Sequence, residues 1–382
     1  MKMNAGESEG FFSLTKEKQY LFWLCQIPSL GATGIRKLGE TFGSFEQIYE
    51  YALYNIEERE TPAKGILRKG QWQAICEAVP HFEQCEADFE RLRERKIGFI
   101  TPLDEEYPGL LREIPDYPMG LYMRGRIPDP DKPGVAIVGA RGCSAYGERI
   151  AEEFARMLSD EGVQIISGLA AGIDGAAHRG ALKGKTATFG ILGCGVNICY
   201  PSSNYHLYEE MLQRGGIISE FPLDARPSAS HFPMRNRIIS GMVDAVLVVE
   251  AREKSGSLIT AELGLEQGKE IFAIPGRLTD RLSSGCNKLI QQGAGMAISP
   301  GDILEYLGLK CKKELILHEN HVNGLEKKEK MLYSCLDFKP KHLDKILSES
   351  GLSLAECLSI LMELELGGYV FRSGNHYYGK RL

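Results

Sequence analysis

Apolar side chains recur at helical spacing through residues 15–95, in YLFWLCQI (20–27), IRKLGETF (35–42), FEQIYEYAL (45–53) and WQAICEAV (72–79), with breaks at Pro28, Gly31, Gly34 and Gly43. This pattern predicts a small all-α domain over residues 1–98, SAM-like or helix-hairpin-helix-like. Its centre, Ile27 to Leu38, reads as two helices joined by a Gly-containing hairpin. The backbone N–H groups of that turn either meet a phosphate or simply close the corner. A Pro-rich passage follows, from Thr101-Pro102 through Tyr107-Pro108, Ile114-Pro115, Tyr117-Pro118 and Ile127-Pro128 to Pro133. Its repeated X-Pro steps forbid long helices and leave room for one or two short strands.

From Val135 the period changes. Short β-branched runs alternate with helical segments of about 10–15 residues, the signature of βαβ units around a parallel sheet. Strands are predicted at 135–138, 164–166, 188–192, 216–219, 245–249, 271–274 and near 296–298. Seven strands in this rhythm predict an α/β fold over residues 99–309: a doubly wound, mostly parallel Rossmann-like sheet, whose ligands sit beyond the carboxyl ends of its strands. Residues 310–328 are charged and poor in apolar side chains, as a linker is. Residues 329–382 give three helices and a terminal hairpin, a winged-helix pattern. Its third helix carries Glu356, Glu363 and Glu365 rather than bases, which favours protein contact or plain packing over DNA.

Composition and charge narrow the classes. Of 382 residues 43% are hydrophobic and 25% charged, which excludes disordered and fibrous chains. The 45 Lys and Arg against 51 Asp and Glu leave a net charge of −6, and residues 135–299 hold 16 basic and 17 acidic side chains, 16 − 17 = −1. Any polyanion site is therefore a local cluster, not a field of the whole protein. Ten cysteines without a C-x-x-C pair read as reduced thiols. The first 18 residues hold no apolar signal core and no run reaches the roughly 18 apolar residues of a membrane span. The expectation is a cytoplasmic protein without membrane contact.

The chemistry concentrates in the loops after the strands. Gly139-Ala-Arg-Gly-Cys-Ser-Ala-Tyr-Gly147 follows the first predicted strand and resembles a phosphate-cradling turn, with Gly139 for close backbone approach, Arg141 for a bidentate grip and Ser144 at the helix start. It is neither G-x-G-x-x-G nor a P-loop, and no acidic residue ends the second strand, so a nicotinamide dinucleotide is disfavoured. Ser167, Gly168 and Gly172 lie in a second such loop, which ends at Asp174, a candidate cap or brace. Gly195 lies in a third, Gly193 to Asn197, followed by Tyr200-Pro201. Any one of the three is ordinary turn chemistry; three at consecutive strand ends point to an extended anion or nucleotide. The segment from Pro227 to Gly241 holds Phe232, Arg235, Asn236 and Arg237 with no acid. The two arginines cannot share a helical face, so if both are functional one reaches phosphate while the other braces the loops or Glu220. Phe232 is either a stacking ring or a buried anchor. Ser255, Gly256, Ser257 and Thr260 open a helix as a phosphate nest, and Arg277, Asn287 and Lys288 approach the same edge. No metal-spaced Cys/His set, no H-E-x-x-H and no nucleophile elbow is present; His318-x-x-His321 falls in the linker. No cofactor is expected.

These motifs together resemble the DNA-processing protein A (DprA, or Smf) family: Val138-Gly-Ala-Arg141 with Tyr146-Gly147, Ser167 to Asp174, Gly193-Cys-Gly195 with Tyr200-Pro201, Ile218-Ser-Glu220, Phe232 to Ile239, Ser255 to Thr260 and Pro275-Gly276. The resemblance spans roughly residues 100–300. It implies an extended Rossmann fold that binds single-stranded DNA, protects incoming DNA in natural transformation (competence) and recombination, forms homodimers and loads RecA, without catalysis. Carried over by motif, Arg141 holds backbone phosphate, Phe232 stacks near a base, and Arg235 with Arg237 lines the groove. This sequence departs from relatives that carry Lys before the Phe: it has Ala229 and Ser230, which leaves Lys183, Lys185 or Lys254 to supply that charge. The rival is an enzyme, a Rossmann-type hydrolase of the glycosidic bond in nucleoside monophosphates, whose Gly-turn-Thr-x-x-Glu motif is faintly echoed from Gly256 to Glu262.

Overall fold

The computed structural model describes residues 13–55, 65–68, 70–309, 325–338 and 340–380. Five helices come first: α1 (Lys16–Cys25), α2 (Ala32–Phe42), α3 (Phe45–Tyr54), α4 (Gln71–Ala78) and α5 (Gln84–Glu94). Side-chain oxygens start two of them, Thr15 accepting from the Lys18 amide and Ser44 from the Gln47 amide. Gly43, at φ 83°, ends α2 in the left-handed conformation that closes a helix. Of the segment Ile27–Leu38 read as a hairpin, residues 27–31 form the α1–α2 turn and residues 32–38 begin α2.

The Pro-rich passage supplies β1 (Gly98–Ile100), the single turn α6 (Gly109–Arg112) and β2 (Leu121–Gly125). Phe22 of α1 meets Phe99 of β1 edge-on at 4.9 Å, which seats the helices against this edge of the sheet. The βαβ units then run β3 (Gly134–Val138), α7 (Ala145–Asp160), β4 (Gln164–Ser167), α8 (Ile173–Lys183), β5 (Thr188–Ile191), α9 (Tyr205–Arg214), β6 (Gly216–Ser219), α10 (His231–Gly241), β7 (Ala245–Val248), α11 (Gly256–Glu266), β8 (Glu270–Ala273), α12 (Ser284–Gln291), β9 (Gly295–Met296) and α13 (Pro300–Tyr306).

The nine strands lie in the order β1-β2-β6-β5-β4-β3-β7-β8-β9. The seven from β6 to β9 pair in parallel, as predicted; β1 and β2 add an antiparallel edge. Every residue of β3, β4, β5, β6 and β7 is buried, because helices cover both faces and no strand needs a polar side. One face packs Val138, Ile166 and Val246 against Ile238 and Ile239 of α10; the other packs Ile137, Ile165 and Leu247 against Phe154 and Leu158 of α7. The strand order reverses between β3 and β7. In such sheets the reversal opens a crevice beyond the strand ends, here beyond Val138 and Val248.

The C-terminal unit is the expected winged helix: α14 (Lys327–Cys335), β10 (Lys341–His342), α15 (Leu343–Ser350), α16 (Leu354–Leu366), β11 (Val370–Arg372) and β12 (Tyr377–Lys380), its strands ordered β10-β12-β11 around a core of Leu332, Ile346, Leu361 and Val370. Arg149 of α7 donates to the Phe338 and Lys380 carbonyls at 3.3 and 3.4 Å, with its guanidinium 4.6 Å from the Phe371 ring. Most of the predicted linker, with His318 and His321, lies outside the described residues. Among those described, no helix is long and apolar enough to cross a membrane.

Candidate nucleic-acid interface

A cavity of about 550 Å³ occupies the crevice beyond β3 and β7. Four segments line it: Gly139 to Gly142 after β3, Ala170 after β4 with Asp174 at the start of α8, Phe232, Pro233, Arg235 and Asn236 in the first turns of α10, and Arg252 with Lys254 to Ser257 between β7 and the start of α11. Thr260 and Ile259 close it from the first turns of α11.

Glycines set how closely these loops approach. A Cβ at Gly139 would lie 2.6 Å from the Ile173 side chain and 2.9 Å from the Glu250 carbonyl oxygen. Gly172, at φ +77°, brings the loop after β4 against the Arg141 carbonyl, 2.5 Å from where a Cβ would stand. Both close approaches need residues without a side chain.

The two helix starts at the crevice differ. At α7, Ser144 is the N-cap, its hydroxyl accepting from the Gly147 amide at 3.0 Å. The buried Glu250 carboxylate in turn accepts from the Ser144 amide at 2.8 Å and hydroxyl at 2.5 Å. Glu250 therefore supplies an internal anion at this helix start, where the sequence pattern suggested a phosphate. At α11, Ser255 has extended backbone and makes no side-chain cap; its hydroxyl meets that of Ser257 at 2.8 Å and, among the described residues, no other side chain. A Cβ added at Gly256 would meet nothing within 4 Å, so the first turn of α11 stands open.

The cations sort the same way. Arg141, Arg252 and Lys254 line the cavity, are exposed, and make no ion pair among the described residues. The Arg141 guanidinium lies 4.8 Å from the Phe232 ring centroid. Arg235 also lines the cavity but is 4% exposed and is held inward, donating to the carbonyls of Gly168, at 2.7 Å, and Ile191. Burial lowers its pKa to about 10, against the opposing pull of Asp174. Asp174 accepts from the Gly168 amide at 3.1 Å; burial raises its pKa, opposed by Arg235. Arg237 points away altogether, holding both Glu220 oxygens at 2.6 and 2.5 Å and the Asp116 carboxylate at 3.2 Å. Burial raises the Glu220 pKa and Arg237 opposes it.

The resemblance has Arg235 and Arg237 line the groove: Arg235 does line the cavity with its guanidinium bonded inward, whereas Arg237 is not among the lining residues and holds Glu220. Their positions on α10 turn one under the floor and the other toward Glu220, the bracing role open to one of them. Ser144 and Ser167 are likewise engaged inside the protein, Ser167 donating to the Ile137 carbonyl at 2.6 Å. The Gly168 amide belongs to Asp174, and the Gly195 amide donates to the Ala225 carbonyl at 2.9 Å. Asn236 donates to the Gly256 carbonyl at 3.3 Å, tying α10 to the start of α11. Of the candidate lysines, Lys254 reaches the cavity, while Lys183 pairs with Glu152 and Lys185 with the Asp160 carbonyl. Glu250 and Arg252 were not singled out from sequence; the signal was an acid ending the strand beside the strand-order reversal.

The fold is that of a Rossmann-like protein, and the cleft at its strand-order reversal combines cations unpaired among the described residues, an uncapped helix start and a nearby aromatic ring. Residues 98–308 match the family model described as DNA recombination-mediator protein A, and residues 321–375 match the DprA winged helix domain. Protein Smf of Synechocystis sp. is 33% identical over 397 residues, covering 94% of this chain and 98% of its own. The solved structure of DprA from Streptococcus pneumoniae superposes with a TM-score of 0.63 at 33% identity, over 77% of this chain and 98% of that one. A Helicobacter pylori DprA structure, which describes that protein's single-stranded DNA binding mode, superposes with a TM-score of 0.51 at 31% identity, over 56% of this chain and 95% of that one. The chain belongs to the DprA/Smf family.

Proposed function

We propose that this protein binds single-stranded DNA in the crevice beyond β3 and β7 and delivers it to RecA during recombination and natural transformation, as a cytoplasmic homodimer without catalysis. The observation that carries this reading is the pairing of an uncapped helix start at Ser255–Gly256–Ser257 with three cations that make no ion pair among the described residues, Arg141, Arg252 and Lys254, on one cavity. Phosphates take the open amides and the cations; Phe232 takes a base face. In this assignment Gly139, Arg141, Phe232, Ser255 and Gly256 face DNA, and the buried Ser257 and Thr260 form the inner wall of the cavity behind them. Ser144, Ser167, Gly168, Gly172, Gly195, Arg235, Asn236 and Arg237 hold the walls. The single-stranded DNA binding described for the H. pylori relative supports the ligand class.

The nucleotide-hydrolase reading needs a carboxylate in the cavity to act on the glycosidic bond. Glu262, two residues after Thr260, is exposed and does not line the cavity; Glu250 is committed to Ser144; and Asp174, the carboxylate that does line it, is buried and holds the Gly168 amide beside Arg235. The test is direct. Salt-sensitive binding of a single-stranded oligonucleotide in preference to its duplex, with no free base released from nucleoside monophosphates, is the expected result. Base release at enzymatic rates overturns it. RecA loading is checked by the rate of RecA filament formation on coated single strands with and without the protein.

A further inference from the structure

Phe232 is the obvious stacking ring, yet much of it is spoken for. The Arg141 guanidinium lies over it, and a Cβ at Gly193 would sit 3.0 Å from its edge, so the backbone of the third loop abuts the ring. Tyr200 of the same loop stands next to it, ring centroids 5.8 Å apart and planes 30° from parallel. Tyr200 is 42% exposed, and its hydroxyl meets no hydrogen-bond partner among the described residues. A large ring that neither fills a core nor anchors a hydrogen bond is an unusual thing to hold at the edge of a polyanion cleft.

The loop that carries it is tied at both ends. The Asn204 amide donates to the Leu169 and Ala170 carbonyls at 3.0 and 3.2 Å, tying the far end of the loop to the loop after β4. Asn197 donates to Asp224 at 2.7 Å and accepts from its amide at 3.1 Å, tying the near end to the loop after β6. The Tyr208 hydroxyl donates to the Val196 carbonyl. A pre-positioned ring loses little freedom when a base settles on it.

We propose that Tyr200 is a second base-stacking residue, taking an unpaired base of the bound single strand next to the one at Phe232. The inference rests on the crevice being the DNA path and extends that path from the α11 end, past Phe232, onto the loop after β5. Stacking on Tyr200 reads no sequence, because every base has a π-face.

The experiment is fluorescence anisotropy of a labelled oligothymidylate with the full-length protein and its Tyr200→Ala, Tyr200→Leu and Tyr200→Phe variants, with Arg141→Ala alongside. Ala and Leu are expected to weaken binding about fivefold or more and Phe to stay within about twofold, all with the wild-type salt slope. An oligonucleotide with one abasic site, scanned along its length, locates the base: one abasic position weakens wild-type binding and no longer matters to Tyr200→Ala. Leu fills the same space without a ring, so wild-type binding by the Leu variant overturns the proposal, as does wild-type binding by Ala. If Arg141→Ala binds less tightly with a flatter salt slope while Tyr200→Ala does not change, this inference alone fails. If neither changes binding, the crevice is not the DNA path.

Discussion

The helices α7 and α11 both begin beside the strand-order reversal, one after β3 and the other after β7, yet they meet negative charge differently. α7 starts on Ser144, which is locked to the Glu250 carboxylate, so the anion its first amides attract is part of the fold. α11 starts on Ser255 with no side-chain cap and open space over Gly256. A helix start binds a ligand only if the protein has not already satisfied it. The glycine-rich turn after β3, the more eye-catching of the two in sequence, contributes mainly its backbone course and Arg141.

Three substitutions separate scaffold from groove. The largest effect is expected at Arg235: replacing it by Ala leaves Asp174 and the Gly168 and Ile191 carbonyls without their buried partner, a loss of about 3–5 kcal/mol in denaturant unfolding. If Arg235 instead served DNA alone, stability would hold and only binding would fall. Glu250→Gln comes next. It keeps the size but weakens the bonds to Ser144, a loss of about 1–2 kcal/mol in the same assay, with no weakening of single-strand affinity. Reduced DNA affinity at preserved stability would place Glu250 in the groove, against the comparison. Arg141→Ala acts the other way, with stability unchanged and the slope of log affinity against log salt flattened by about 0.7, one single-strand phosphate contact. An unchanged slope would remove Arg141 from the phosphate path.

The contrast between these regions also marks where sequence reading stops. The seven parallel strands are legible because buried strands need continuous β-branched runs and their loops need Gly. The antiparallel edge was only hinted at, because β1 is three residues long and sits beside prolines. Arg235 and Arg237 stood out as a cluster, and their separation on a helix already forbade a common role; which one turned inward depended on Gly168, Ile191, Glu220 and Asp116, each brought in by tertiary packing. Glu250 was invisible as a cap because Ser144 lies 106 residues away in the chain. Local pattern gives the loops; long-range partners decide which groups remain free.

The most direct measurement is the affinity of Gly256→Asp for a single-stranded oligonucleotide, beside its thermal midpoint and with Gly256→Asn as the neutral control. Asp gives α11 an anion of its own in space that is empty of protein. The expected result is binding weakened about tenfold or more by like-charge repulsion, a midpoint equal to or slightly above wild type, and Asn within a few-fold of wild-type affinity. Wild-type binding by Gly256→Asp would contradict the account, because phosphate would then not be using the open start of α11.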